Sequence, residues 1–203
     1  PEQIESRYFG ILTKIFNVGR FASQFDFDGD IDKVPDNLEN EDQWILAEFS
    51  VLLEKAKVGY SGLDIYTAAQ GIKTFSTGVF ASHWLEMSKT RLYNGDTSAT
   101  WTLHRIFRDL LSILSPICPF FTHHLSTILY EKSAVDVDTF PEIAMTGTEE
   151  WTKLTDSLVG FNSVVWKAKK DAGISLAAPI SGHKVPDELK NIGPALVSMH
   201  KLE

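Results

Sequence analysis

Few residues in this chain could do chemistry, and their spacing tests each of them. Glu86-Met-Ser-Lys-Thr90 is similar to the Lys-Met-Ser-Lys-Ser signature that holds ATP phosphates on a mobile loop. Here it lies inside a continuous helical pattern, and a helix interior has no free backbone N–H groups to offer a phosphate. Asp26-Phe-Asp-Gly-Asp-Ile-Asp-Lys-Val-Pro35 has the look of a calcium loop. With Gly29 in the sixth position, however, Gln24 and Pro35 would have to be the first and twelfth ligands, so the stretch reads as an acidic connection. His83-x-x-Glu86 occurs once and in the reverse of the Glu-x-x-His order that a carboxylate-bridged dimetal bundle repeats on two helices. His123 and His124 are adjacent, so on a helix they point about 100° apart and cannot share one metal. Cys118 is the single cysteine, set between Pro116 and Pro119. It reads as a small buried hydrophobe, and it excludes an internal disulfide, as expected of a reducing compartment. No Gly-rich phosphate loop and no Ser, His and Asp constellation is present. No catalytic residue, metal or cofactor is therefore assigned within this chain.

Charge narrows the binding chemistry. The net charge of −8 is carried almost wholly by the stretch Asp26 to Asp42, where eight acids face one cation, Lys33. The remainder is close to neutral, and a near-neutral surface with local basic patches can bind RNA if the acidic stretch points elsewhere. At 203 residues and 43% hydrophobic content the chain can bury one ordinary core plus an appendage, and it has no run long enough to span a membrane. The opening Pro1-Glu2, with neither an initiator Met nor a signal peptide, reads as the start of a piece of a longer polypeptide.

The elements that must position these residues are helices. The first covers 2 to 24 and carries two stripes. Tyr8, Phe9, Leu12, Ile15 and Phe16 form a core face, while Arg7, Gly10, Lys14, Asn17 and Phe21 share a polar arc of about 80° that ends in an aromatic ring. A second helix starts near Asn40 and runs through Trp44, Ile45, Phe49 and Leu53 toward Gly59. The third, from about Gly62 to Tyr93, places Ile65, Ala68, Ile72, Phe75, Val79, His83, Glu86 and Met87 on one face at 100° per residue. A carboxylate in that apolar face needs a cation, and Arg20, at the edge of the first helix's core arc, is the expected partner of Glu86. Asn94-Gly95 ends the third helix and Asp96 or Thr97 caps a fourth, which carries Trp101 to Leu114 and exposes Arg105 and Arg108. Beyond Pro116 and Pro119 a short helix resumes from Phe120 to Tyr130. Residues 149 to 172 read as one amphipathic helix ending in Lys167, Lys169 and Lys170. An extended Gly173 to Ile180 and a last short helix from Asp187 follow. The fold class is all-α, with domains at 1–135 and 136–203, the second a small, mostly helical C-terminal appendage.

With these residues laid out, the chain resembles the C-terminal part of the valyl-tRNA synthetases, class I aminoacyl-tRNA synthetases, in their archaeal form. Five segments carry the resemblance: Leu12-Thr-Lys-Ile-Phe-Asn-Val-Gly-Arg-Phe-Ala22, Asp42-Gln-Trp-Ile-Leu46, Val79 to Arg91, Leu114-Ser-Pro-Ile-Cys-Pro-Phe120 and Trp166 to Leu176. Three departures stand out. Gln43 replaces a basic residue, Thr77 stands where the family usually has Trp, and His123-His124 replace two acids. The resemblance implies an anticodon-binding helical bundle with tRNA(Val) as partner. It also implies a cytoplasmic setting and a monomeric fragment joined to upstream catalytic and editing domains. ATP and magnesium belong to those domains. The isoleucyl- and leucyl-tRNA synthetases share the bundle, and a helical protein-interaction module without RNA binding is the alternative of another class. On the RNA reading the contact residues are Arg7, Lys14, Asn17, Phe21, Lys89 and Arg91, with cations positioning phosphate and a ring stacking a base.

Overall fold

The computed structural model describes residues 2–131, 140–143, 145 and 147–203, with side chains described from residue 9 onward. The domain division expected at residue 135 and the side chain of Arg7 lie outside the described residues. The architecture is all-α. Helix α1 covers Glu2–Ala22 and α2 covers Asn40–Ser61. Next comes one long rod made of α3 (Ile65–Thr74), a π-helical segment (Phe75–Trp84) and α4 (Leu85–Tyr93). Then follow α5 (Thr97–Leu114), α6 (Pro119–Tyr130), α7 (Thr148–Thr152), α8 (Thr155–Asp171), a 3-10 turn (Asp187–Ile192) and α9 (Gly193–His200). The one β-type pairing among the described residues is a parallel bridge between Ile180 and Leu202.

Helix α5 is the axis of the bundle, because nearly every residue from Ser98 to Leu114 is buried and only Arg108 and Ser112 reach partway out. Asp96 starts it by accepting a bond from the Ala99 N–H at 2.9 Å, and the αL turn at Gly95 (φ +75°) lets α4 reverse into it. Core side chains from α1, α2, the long rod, α5 and α6 form one cluster with Leu154, Leu158, Leu189, Ile192 and Leu196, so the C-terminal elements close over the same core.

Helix α1 meets that core on a different face from the expected one. Ile15, Val18 and Ala22 are buried, whereas Phe9 and Phe16 stand in solvent. The reason is close approach: a Cβ on Gly19 would lie only 3.0 Å from the Phe107 ring. The small residues Gly19 and Ala22 therefore decide which side of α1 lies down on α5. The amphipathic stretch 149–172 is likewise two helices. Its break at Lys153 and Leu154 lets the Thr155 hydroxyl reach α2, where it accepts from Trp44 Nε1 at 2.9 Å and bonds Glu48. Gly173 to Ile180 is turns and coil, extended only at its end.

The π segment sets the geometry of the long rod. Winding by i→i+5 bonds brings residues five apart over one another, where α-winding would leave them about 140° apart. Phe75 and Phe80 consequently stack at 5.9 Å with planes 9° apart, Phe80 stacks on Trp84 at 5.4 Å, and Phe49 of α2 meets Phe75 at 5.1 Å. Each residue wound this way turns by less than 100°, so the stripe drawn through the rod at constant pitch slips. His83 and Met87 stay inside, but Glu86 leaves the core.

Candidate nucleic-acid interface

Glu86 accepts two bonds from Lys89 of its own helix, at 2.7 and 2.8 Å, with its side chain 42% exposed. The expected buried pair with Arg20 is thus not formed. Arg20 is exposed and makes no ion pair among the described residues.

Arg91 also differs from expectation. Its guanidinium bonds Glu41 at 2.9 Å, Asp42 at 2.7 Å, Asp96 at 3.0 Å and the Ser98 hydroxyl at 2.7 Å, with its side chain only 18% exposed. Asp42 is fully buried and also accepts from Trp84 Nε1 at 3.1 Å. Burial opposes the charge on Arg91, but its bonds to Asp42 and Asp96 and the nearby Glu41 more than offset it and hold the group above its ordinary pKa. Asp96, partly desolvated, is nonetheless held below the usual carboxylate range by Arg91, the Ala99 N–H and Ser98. Arg91 therefore ties α2, α4 and α5 together and has no donor fork to spare for a phosphate. Arg105 and Arg108 are not exposed either. Arg105 bonds Asp109 of its own helix at 2.7 Å and donates to the Ile31 carbonyl at 3.3 Å, and Arg108 bonds Asp32 at 2.7 Å, so α5 holds down the acidic loop. Trp101 Nε1, donating to the Ile31 carbonyl at 3.1 Å, fixes the same loop.

The remaining members of the track come together along two parallel strips. Lys14 Nζ donates to the Thr77 carbonyl at 2.9 Å and lies 3.4 Å from Ser82 Oγ. Ser82 Oγ donates to the same carbonyl at 2.6 Å, so a backbone oxygen of the π segment is held by two side chains. Two turns further along α1, Phe21 meets Tyr93 edge-on at 6.2 Å, and Phe25 meets both rings at 5.0 and 5.3 Å. Lys14, Asn17 and Phe21 on α1 thus run beside Ser82, Glu86, Lys89 and Tyr93 on the rod, in the same direction and joined at both ends. Phe21 is half-buried and serves as a buttress. The ring that stands out is Tyr93, 63% exposed. Arg20 is exposed on the solvent side of α1, about 60° round the helix from Asn17. Sequence reasoning misses Tyr93 because the ring sits at a helix end that periodicity treats as a stop. It turns Arg20 inward because a constant pitch along the rod buries Glu86.

This geometry finds its place in a family. The family model "Anticodon-binding domain of tRNA ligase" matches residues 42–184, and the chain belongs to that family. Within it, the relatives are valine–tRNA ligases. That of Nanoarchaeum equitans is 28% identical over 209 residues, covering 98% of this chain and 26% of that protein. That of Aeropyrum pernix is 32% identical over 206 residues, covering 93% and 24%. That of Sulfurisphaera tokodaii is 34% identical over 134 residues, covering 66% and 16%. The chain therefore spans about a quarter of the length of the first of these relatives and less of the others. Among the described residues no helix is long and apolar enough to cross a membrane.

Proposed function

We propose that this chain holds the anticodon arm of tRNA(Val) for a valine–tRNA ligase acting in the cytoplasm, as one body with catalytic and editing parts of the same polypeptide. ATP and magnesium would be used in those parts, and the residues of this chain supply position. The observation that carries the reading is the pair of parallel strips. Lys14 and Lys89 line the seam, exposed Asn17 and Arg20 follow further round α1, Arg7 continues the sequence pattern of α1, and Tyr93 projects at the far end on a base of two phenylalanine rings. Cations in such a strip fix the sugar–phosphate backbone, and a supported, open ring stacks an unpaired base. Asp32 of the acidic stretch is paired with Arg105 and Arg108 of α5.

The test is tRNA binding to the 203-residue chain at two salt concentrations. Arg20→Ala and Lys89→Ala should each weaken binding of all tRNAs and flatten the log–log salt dependence by about 0.7–0.9. Tyr93→Ala should cost about 1–3 kcal/mol of affinity while leaving the salt slope alone. Folded variants that bind like the parent, with the parent's slope, would remove the two strips from the interface.

A further inference from the structure

We infer that the RNA track does not stop at Lys14 but crosses onto the C-terminal end of α8, where Lys167 and Lys170 take a further stretch of the same sugar–phosphate backbone. This rests on the function proposed for the two strips, and it follows from how α8 is joined to the π segment. The residue after Ser82 is His83, whose ring stacks on Trp166 of α8 at 5.3 Å with planes 27° apart. Asn162, one turn earlier on α8, lies 2.8 Å from His83 Nδ1. Lys14 is close enough that its charge adds to burial in disfavouring a proton on His83. Lys14 is bonded to the π segment at Thr77 and Ser82, and His83 of the same segment stacks on Trp166, so α1 and α8 both pack on the π segment. Lys170 is one turn beyond Trp166 and on the same side of the helix, and Lys167 is its neighbour. Both are exposed.

The lysine between them shows that this end is built. Lys169 is wholly buried, and its Nζ donates to the carbonyls of Leu176 and His200 at 2.8 Å each. It thereby draws the loop after α8 and the chain beyond α9 to the same place, and the Ile180–Leu202 bridge keeps them there. These two segments also carry Lys184 and Lys201, both exposed, with the acids Asp171, Asp187, Glu188 and Glu203 in the same part of the sequence. In a chain of net charge −8 whose acids concentrate between Asp26 and Asp42, this end groups four exposed lysines, Lys167, Lys170, Lys184 and Lys201. The family match runs to residue 184 and so takes in α8 and its loop.

A role limited to closing a helix C-terminus would make the lysines matter for folding and not for RNA. The decisive measurement is binding of a tRNA transcript to the 203-residue chain at about 50 and 200 mM salt, where phosphate contacts differ most in weight. The Lys167→Gln/Lys170→Gln variant should keep its circular dichroism and lose about 0.7–0.9 of log–log salt slope for each lysine. Lys190→Gln, on the 3-10 turn, should keep the parent slope. An independent readout is amine acetylation followed by mass spectrometry, in which tRNA should protect Lys167 and Lys170 of the unaltered chain but not Lys190. A parent-like slope together with unprotected lysines overturns the inference. Arg20→Ala and Lys89→Ala, measured alongside, report on the α1 and α4 strips separately, so the two readings fail through different variants. A parent chain that does not bind tRNA at the lower salt overturns both.

Discussion

Two buried polar nodes tie the bundle together, and they do so with opposite chemistry. Around Arg91 one cation is held by Glu41, Asp42 and Asp96, so α2, α4 and α5 are joined by charge. Around Asn162 the hydrogen bonds among the described residues run to two histidines and to no carboxylate. The amide of Asn162 donates to His83 Nδ1 and its oxygen accepts from His200 Nε2 at 2.7 Å, joining the π segment, α8 and α9 through neutral groups. His200 Nδ1 is buried with no hydrogen-bond partner among the described residues. Burial, then Lys169, His183 and His83, push the His200 pKa down to about 4. The first node needs its ions. The second works only while its histidines are uncharged, and the charges of Lys14 beside His83 and Lys169 beside His200 add to burial in opposing a proton.

The sharpest way to break the contrast is to remove the cation of the first node. Arg91→Ala should destabilise the fold by about 3–5 kcal/mol, because three carboxylates are left crowded and partly desolvated. Urea unfolding at pH 7 would measure it, and a loss under about 1 kcal/mol would mean that water replaces the guanidinium.

A smaller effect should come from acidifying the second node. Above about pH 6.5 His200 is neutral in both folded and unfolded chains and contributes no pH dependence. Below that, the unfolded chain takes up a proton while the folded chain resists until about pH 4. Stability should therefore fall across that window by about 3 kcal/mol and then level off. Unfolding midpoints between about pH 7 and 4 would show the fall, and His200→Gln should flatten it. In the Arg91→Ala background, protonation of the stranded carboxylates should run the other way and recover part of the loss.

Lys14→Met tests the join between α1 and the π segment. Losing its bond to the Thr77 carbonyl should cost about 0.5–1.5 kcal/mol, with Ser82 still satisfying that oxygen. The smallest effect belongs to Glu86→Ala, whose half-exposed pairing with Lys89 contributes about 0–1 kcal/mol. A double-mutant cycle between Arg20 and Glu86 should give a coupling near zero, and a coupling of several kcal/mol would restore the buried pair that the sequence alone implies.

The same residues show how much of the molecule is legible in local pattern. The helix count up to Tyr130, the stop at Asn94-Gly95, the cap at Asp96 and the burial of Trp44, Ile45, Phe49 and the α5 face follow from it, because capping and amphipathic burial act within a turn or two. The rejection of a phosphate loop at Glu86 to Thr90 follows for the same reason, since these residues lie in α4. Membership of a tRNA-ligase family is legible from five motifs, and the fold brings two of them together: Asp42 of one meets Trp84 and Arg91 of another in one node.

Periodicity alone does not reveal where polar side chains find their partners. Lysines and arginines read the same on a helical wheel whether they face solvent or a carboxylate far along the chain, so the wheel turns Arg91, Arg105 and Arg108 outward. A helix drawn at constant pitch also hides the π segment, whose wider turn is stabilised by the stacked rings of Phe49, Phe75, Phe80 and Trp84 and by the side chains that hold the Thr77 carbonyl. Those are contacts between elements. The sequence by itself determined which segments are helical and which faces are greasy, because both depend on neighbours along the chain. Only the tertiary structure decided which cations can reach RNA, because packing buries Arg91 among three carboxylates while Lys89, paired with one on its own helix, keeps its side chain 44% exposed.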